Sequence, residues 1–289
     1  MTEAPPVWIV MRCHDDQPWL ERTLAALASQ DLPHNLLVLD NASRDGSRPV
    51  ALAAAQRLLD IPQGAYIPGR VLNLGMAQTD GELVIYLNAD AVPHGPSWLR
   101  DLLAGFDAPE VAAVFGRQVP RPACPPLLAK DTEDTYGDGR RQARWRHCFS
   151  MAASAIRRSL WLQMPFREDL RHSEDLDWTW RARQKGWRVR YVPEAVVTHS
   201  NHYDLAGYCR RQQGEGRAEA SIFTWSAWEA GFLRYALLPC LRQVRDDYRW
   251  ALGQRQPRLL WQSPLWRAGG LWGRWRGLRM GLWELKHGK

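Results

Sequence analysis

No stretch of the 289 residues approaches the roughly 18 consecutive apolar residues that a membrane-spanning helix needs. The amino terminus, MTEAPPVWIVMRC, has no basic start followed by an apolar run, so it does not read as a secretory signal. The five cysteines (Cys13, Cys124, Cys148, Cys209 and Cys240) are scattered and odd in number, with no CxxC pair, which argues against a zinc knuckle or a disulfide framework. No internal repeat is evident, and no zinc-finger, RNA-recognition or helix-turn-helix pattern is found. From these absences a cytosolic chain with reduced thiols is expected, and nucleic acid is left without a recognisable reader.

What is present is a globular composition, 45% hydrophobic and 24% charged, with an uneven charge distribution. Residues 1–204 carry a net charge of −2, whereas residues 205–289 carry +9 and hold 8 of the 16 tryptophans. A nearly neutral body with a basic, tryptophan-rich tail predicts an anionic partner for the tail.

Short apolar runs alternate with helical spacing along the body. Val7–Met11, Leu36–Leu39, Leu83–Leu87, Val111–Phe115 and Phe149–Ile156 read as strands, with Trp187–Tyr191 and Ala195–Thr198 as two more. Pro18–Ser29, Pro49–Leu59, Trp98–Phe106 and Ser173–Lys185 read as helices, the last with Ser173 as N-cap and Gly186 as stop. This alternation predicts an α/β fold with a mainly parallel sheet flanked by helices. Residues 117–147 read as a long loop. Beyond Leu205 the pattern is helical, with breaks expected at Pro239, Pro257, Pro264 and Gly269–Gly270.

In open α/β sheets ligands bind beyond the carboxyl ends of the strands. Two strands end in acidic segments, one into Asp40-Asn41-Ala42-Ser43 and one into Asn88-Ala89-Asp90. A third acidic group, Glu174, Asp175 and Asp177, opens a helix, and His199 follows the last strand. Singly, each suits a turn, a helix start or a structural histidine. Together they suit a hard divalent cation carrying a diphosphate.

The order of these segments resembles a family 2 glycosyltransferase of the GT-A fold, from about Val7 to about Glu219. LLVLDNASRDGS resembles the family's nucleotide-binding start. NLGMAQTDGELVIYLNADAVPHGPSWL resembles the segment with its Asp-x-Asp motif, and SEDLDWTWRARQKGWRVRYVPEAVVTHS resembles its catalytic-helix segment. GRQVPRPACPP, FSMAASAIRRSLW and HSNHYDLAGYCRRQQGEGRA look like bacterial rhamnosyltransferases that build surface polysaccharides, although Asn201 and His202 are exchanged relative to their usual order.

The resemblance implies an inverting transfer of a sugar, with rhamnose as one candidate. The donor would be dTDP-rhamnose or a UDP- or GDP-sugar, and the acceptor a glycan or lipid-linked hydroxyl. Asp40 and Asn41 would meet the nucleotide, with Arg12 and Arg70 at the base or diphosphate. Asp90 and His199 would hold Mg²⁺ or Mn²⁺, and Asn88, where the family has an acid, would orient ribose or a metal-bound water. Asp175 is the candidate base, with Glu174 and Asp177 as alternatives. Trp178 is a candidate stacking platform for the acceptor sugar. Residues 1–204 would form the catalytic domain and 205–289 a helical extension. That extension would lie on an anionic membrane at the inner face of the cell, or else cap the core or form a homodimer. Nucleotidyl transfer is the rival chemistry, but Arg12–Asp16 after the first strand contains no glycine for a phosphate-cradling loop.

Overall fold

The computed structural model describes residues 7–142 and 148–288. Residues 1–6 of the amino-terminal stretch and residues 143–147 of the expected loop fall outside them. Contacts divide the chain into two units. The first holds residues up to Cys124, Leu128–Asp169 and Glu174–Ser200; the second holds Pro125–Leu127, Leu170–Ser173 and Asn201 onward.

The first unit is built on one mixed sheet. Its strands are β1 (Trp8–Cys13), β2 (Asn35–Asp40), β3 (Arg57–Asp60), β4 (Leu83–Asn88), β5 (Val92–Pro93), β6 (Val111–Val119), β7 (Ala153–Arg157) and β8 (Arg188–Thr198). Their order is β3-β2-β1-β4-β7-β6-β8-β5. Four neighbouring pairs among the described residues are parallel and three, those of β7 with β4 and β6 and of β5 with β8, are antiparallel. The expected mainly parallel α/β sheet is therefore present.

The central strands are apolar on both sides because both faces are covered. Ile9, Met11, Val38, Ile85 and Leu87 point to one face, where they meet Leu20 and Leu27 of α1 (Trp19–Ala28). Val10, Leu37, Leu39, Val84 and Tyr86 point to the other, against Val71, Leu72 and Met76. Those three lie on a helix that the sequence reading did not anticipate, Pro68–Ala77, with proline at its start. The predicted helix Pro49–Leu59 is shorter. It is α2 (Ser47–Ala54), and Arg57–Asp60 pairs in parallel with β2 instead, where Leu58 and Leu59 pack against the clusters on opposite faces of the sheet. The unanticipated helix is thus α3, and Trp98–Leu103 is α4.

Residues 117–147 are not one loop. β6 continues to Val119, and Pro126–Thr135 is helical (α5). The two short strands predicted at 187–198 are one strand, β8, held against β6 with a register shift between Gly116 and Arg117. After α6 (Arg158–Trp161) comes α7 (Glu174–Gln184), immediately preceded by Ser173 in the left-handed region (φ 61°).

The second unit is helical: α8 (Leu205–Ile222), a π-helical turn at Leu233–Leu237, α9 (Leu238–Gly253) and α10 (Leu259–His287). Pro239 falls in the first turn of α9, directly after the π-helical turn. The expected breaks at Pro264 and Gly269–Gly270 do not occur, and α10 runs unbroken through them. The reason is packing against α8. Gly269, Gly273, Gly277 and Gly281 recur every four residues on one face of α10. A Cβ at Gly277 would overlap the Gln213 carbonyl, and at Gly273 and Gly281 it would come within 2.6 Å of the Cys209 and Arg217 carbonyls. Helix propensity is sacrificed for close backbone approach. A buried ion pair, Asp247 with Arg267 (2.7 Å), which Ser263 also joins (2.6 Å), ties α9 to α10.

Gly277→Val is expected to destabilise the helical unit by about 1–3 kcal/mol through overpacking, whereas Gly253→Ala, where nothing lies within 4 Å, leaves stability nearly unchanged. Thermal unfolding followed by circular dichroism compares the two.

Candidate active site

Strand register assembles the first part of the site. Cys13 is paired with Asp40, and Arg12 with Asn88. The carboxyl ends of β2, β1 and β4 therefore stand side by side, about 4.8 Å apart from strand to strand. The neighbouring loops hold Asp15 and Ala42 at positive φ (52° and 54°), an uncommon conformation for residues with a side chain that clusters at functional sites.

Asp40 is fully buried. One carboxylate oxygen accepts the Ser43 N–H at 3.3 Å, while the other has no hydrogen-bond partner within the protein. A buried carboxylate oxygen with no donor is costly unless a ligand supplies one. Asn41 lies beside it, and its carbonyl is contacted by His14 Nδ1 at 2.6 Å.

Arg12 is turned inward, in a role different from the expected diphosphate contact. It donates to Asn88 Oδ1 (2.6 Å), the Met151 carbonyl (3.3 Å) and the Tyr66 hydroxyl (3.4 Å), and stands 3.7 Å from Glu174. Burial alone would lower its pKa, but Tyr66 and Glu174 outweigh it and raise the value. Arg12 thus ties the ends of β1 and β4 to the start of α7. Arg70 is exposed on α3 and pairs with Glu168 at the surface (3.6 Å).

The second part of the site gathers at the ends of β4, β6 and β8. Val92 pairs with Thr198 and Val119 with Thr198, so β5 and β6 bracket the end of β8. Asp90, just before β5, and His199, just after β8, are brought together across 109 positions of sequence. His199 Nε2 lies 3.5 Å from Asp90 Oδ1. The other Asp90 oxygen and its carbonyl accept bonds from Arg121, at 2.7 and 2.6 Å. Arg121 is itself buried and stacked 4.0 Å from the Trp19 ring centroid.

Gln118 sets the face of the histidine. Its amide donates to Ser150 Oγ at 2.8 Å, and its oxygen receives His199 Nδ1 at 2.8 Å. In the neutral ring Nδ1 therefore carries the proton and Nε2 presents its lone pair to the Asp90 carboxylate. Two lone pairs facing each other repel unless a proton or a cation lies between them. An imidazole nitrogen and a monodentate carboxylate fit Mn²⁺, and also Mg²⁺, as a partial ligand set. Among the described residues no group of three or more His, Cys, Asp or Glu side chains converges on an ion. The remaining positions would have to come from a ligand and water.

The three candidate bases separate clearly. Asp177 is buried, 2.7 Å from Arg181 and 3.5 Å from Arg167, which makes it a structural counter-ion and not a base. Glu174 is buried against Arg12. Asp175 is half-buried in the first turn of α7, with one oxygen accepting the Leu176 N–H at 2.8 Å. Burial, and then its charge, push the nearby Cys148 thiol up to about 12.

Trp178 does not face a sugar. It is 0% exposed, its indole N–H donates to the Met164 carbonyl, and its ring packs between Phe149 and Phe166. On α7 it lies three residues after Asp175, on the side that fills the core.

Gln118, Arg121, Ser150 and Tyr66 were not singled out in the sequence. Gln118 and Arg121 stand in a quoted segment, GRQVPRPACPP, but no spacing ties Gln118 to a histidine 81 positions away.

A mixed sheet flanked by helices, with an Asp–His pair beyond the ends of its strands, fits a GT-A glycosyltransferase architecture. The chain belongs to Glycosyl transferase family 2, whose family model matches residues 8–162. It is 29% identical over 193 residues to the O-antigen chain rhamnosyltransferase RfbN of Salmonella typhimurium, covering 62% of each chain. It is 27% identical over 196 residues to the O-antigen chain rhamnosyltransferase WbaN of Salmonella anatum, covering 64% of this chain and 62% of that one. The chain thus spans about three fifths of the length of these relatives. Among solved structures it resembles the mannosyltransferase PcManGT from Pyrobaculum calidifontis, in complex with GDP-Man and Mn²⁺, with a TM-score of 0.65 and 18% identity over 98% of this chain and 88% of that one. That likeness shows the fold.

Asp16 offers a measurable electrostatic signature. Burial, and to a smaller degree the charge of Asp90, raise its pKa from the ordinary 3.8 to about 6. A carboxyl with a raised folded pKa contributes stability below its unfolded pKa and loses that contribution as pH rises through about 6. Asp16→Asn in the metal-free protein is therefore expected to raise the melting temperature most above pH 7, with the gain shrinking towards pH 4. A pH series of thermal melts reads this directly.

Proposed function

We propose that the chain is a metal-dependent, inverting glycosyltransferase. It moves a sugar from a nucleotide diphosphate to a hydroxyl of a glycan or lipid-linked acceptor in surface-polysaccharide synthesis. Rhamnose from dTDP-rhamnose is the favoured donor sugar, on the strength of the rhamnosyltransferase relatives, with UDP- and GDP-sugars as the alternatives. The observation that carries the reading is the opposition of Asp90 and His199, two lone-pair donors 3.5 Å apart beside the row of nucleotide-facing strand ends.

The donor's base or ribose supplies the hydrogen bond that the buried Asp40 oxygen lacks, with Asn41 alongside. Asn88 has its amide oxygen held by Arg12, and this fixes its NH₂ group for the ribose. Asp90 and His199 hold Mn²⁺ or Mg²⁺, which when bound neutralises charge on the departing nucleoside diphosphate. Arg121 occupies the second oxygen of Asp90, so Oδ1 is the oxygen that would meet the ion. Asp175 takes the proton of the attacking hydroxyl on the face opposite the diphosphate, while Glu174 and Arg12 hold the helix end that carries it. Residues 1–204 serve as the donor-binding and catalytic part. The helices of residues 205–289 serve acceptor docking at the inner face of a membrane, with a homodimer as the competing use.

Asp175→Asn is expected to lower kcat about 10²–10⁴-fold while nucleotide-induced thermal stabilisation stays unchanged. Transfer assays with dTDP-rhamnose, UDP- and GDP-sugars, run beside melts, test this; full transfer by the variant, or equal loss of both properties, removes Asp175 as base. Gln118→Met frees the His199 ring to adopt the other tautomer. It is expected to weaken Mn²⁺ affinity about 10–100-fold, read as free Mn²⁺ by electron paramagnetic resonance in the presence of nucleoside diphosphate. Unchanged Mn²⁺ affinity would show that Gln118 does not orient a metal ligand.

A further inference from the structure

The helical unit carries most of the large apolar side chains that the protein leaves in solvent. Leu52 and Leu162 are exposed in the first unit, whereas the second exposes, among others, Trp228, Leu233, Leu241, Leu252, Trp261, Leu265, Trp272 and Trp283. An apolar surface of this extent on a water-facing element marks an interaction site.

Its geometry is most regular on α10. Trp261, Trp272 and Trp283 are spaced by 11 residues, and they are 60%, 52% and 49% exposed. Eleven residues are about three helical turns with only about 20° of drift. The three indoles therefore form one line along the helix, about 33 Å from first to last at 1.5 Å per residue. Leu265, Arg276 and Arg279 are exposed on the same side. The glycine face that packs on α8 lies elsewhere on the helix. It cannot serve the indoles, because Gly273 and Gly277 are buried against Cys209 and Gln213.

The charges of α10 sort in the same way. The inward arginines are neutralised by protein acids: Arg267 by Asp247, and Arg274 by Glu219 and Glu215. The one acid on this helix, Glu284, is held by Arg217 (2.7 Å). Arg276 and Arg279 form no ion pair with a described residue. The indole line is thus flanked by cations with no acid left to balance them. A second copy of the chain would bring like charge against like charge on a segment of net +9. An anionic lipid surface would complement both features, since indoles favour the headgroup level and arginines favour the phosphates above it. No helix of the described residues is long and apolar enough to cross a membrane.

We infer that the Trp261–Trp272–Trp283 line of α10, with Arg276 and Arg279, docks flat on the headgroup region of an anionic bilayer. The inference deepens the membrane-side reading of the proposed function and gives it a particular face. Sedimentation of the full chain with vesicles of phosphatidylglycerol and phosphatidylcholine, against phosphatidylcholine alone, is the test. The wild type is expected to bind the anionic vesicles and to be released by high salt. Trp261→Ala/Trp272→Ala/Trp283→Ala is expected to lose at least about ten-fold in partition, each indole giving up contact area with the lipid. The surface variant Arg276→Gln/Arg279→Gln, which leaves the packing untouched, is expected to lose about five-fold per cation neutralised. Wild-type failure to sediment, or full vesicle binding by the arginine variant, overturns the inference. So does a wild-type dimer in light scattering that the tryptophan variant converts to monomer with vesicle binding intact. Nucleotide-induced stabilisation is measured on the same variants. Its loss in the wild type as well would indict the transferase reading, whereas its retention with lost sedimentation isolates the docking face.

Discussion

A carboxylate and an imidazole nitrogen facing one another across 3.5 Å call for a proton or a cation between them. Asp90 is steadied by Arg121, which takes its other oxygen and its carbonyl, and His199 is steadied by Gln118 at the far ring nitrogen. Both supports come from β6 and the turn after it. The pair exists because β5 and β6 both close on the end of β8. The sheet of the first unit brings the row of carboxyl strand ends of β2, β1 and β4 into the same unit as that closure.

A second support runs through Arg12. Its guanidinium joins β1 to Asn88 on β4 and to Glu174 at the start of α7. A buried cation of this kind stabilises only while each partner stays in place, since losing one leaves an uncompensated charge. The donor-side residues and the helix that bears Asp175 are thereby set by one side chain. The expected direct contact of Arg12 with the diphosphate gives way to this clamp.

The helical unit solves a different problem. Five glycines at 269, 270, 273, 277 and 281 should weaken a helix, and Pro264 should break one. The glycines are tolerated because α8 lies where their side chains would be, its backbone at Gly273, Gly277 and Gly281 and the Cys209 and Tyr208 side chains at Gly269 and Gly270, so dispersion contacts between the two helices compensate for the low propensity. The inward arginines find acids within the unit, whereas the exposed Arg276 and Arg279 form no ion pair with a described residue.

The strands of the sheet core were legible from apolar runs alone, and so were the polar residues at their ends, Asp40, Asn88 and Asp90, because side-chain burial on both faces leaves a continuous hydrophobic signature. The glycosyltransferase resemblance was likewise readable as an order of motifs. β3 was not legible, because Arg57–Asp60 is a half-buried edge whose leucines also fit helical spacing. Gln118 and Arg121 were not legible either, because their roles depend on strand pairing between residues far apart in the chain. Trp178 and Asp177 illustrate the same limit from the other side. Their residue types suit a sugar platform and a base, but helix phase turns the first into the aromatic core and the second towards two arginines. Local pattern by itself determined which residue types end the strands, and how strongly basic the tail is. Only the tertiary structure decided which of those residues meet, because the distances that create a site are set by the register of strands and the phase of helices and not by separation along the chain.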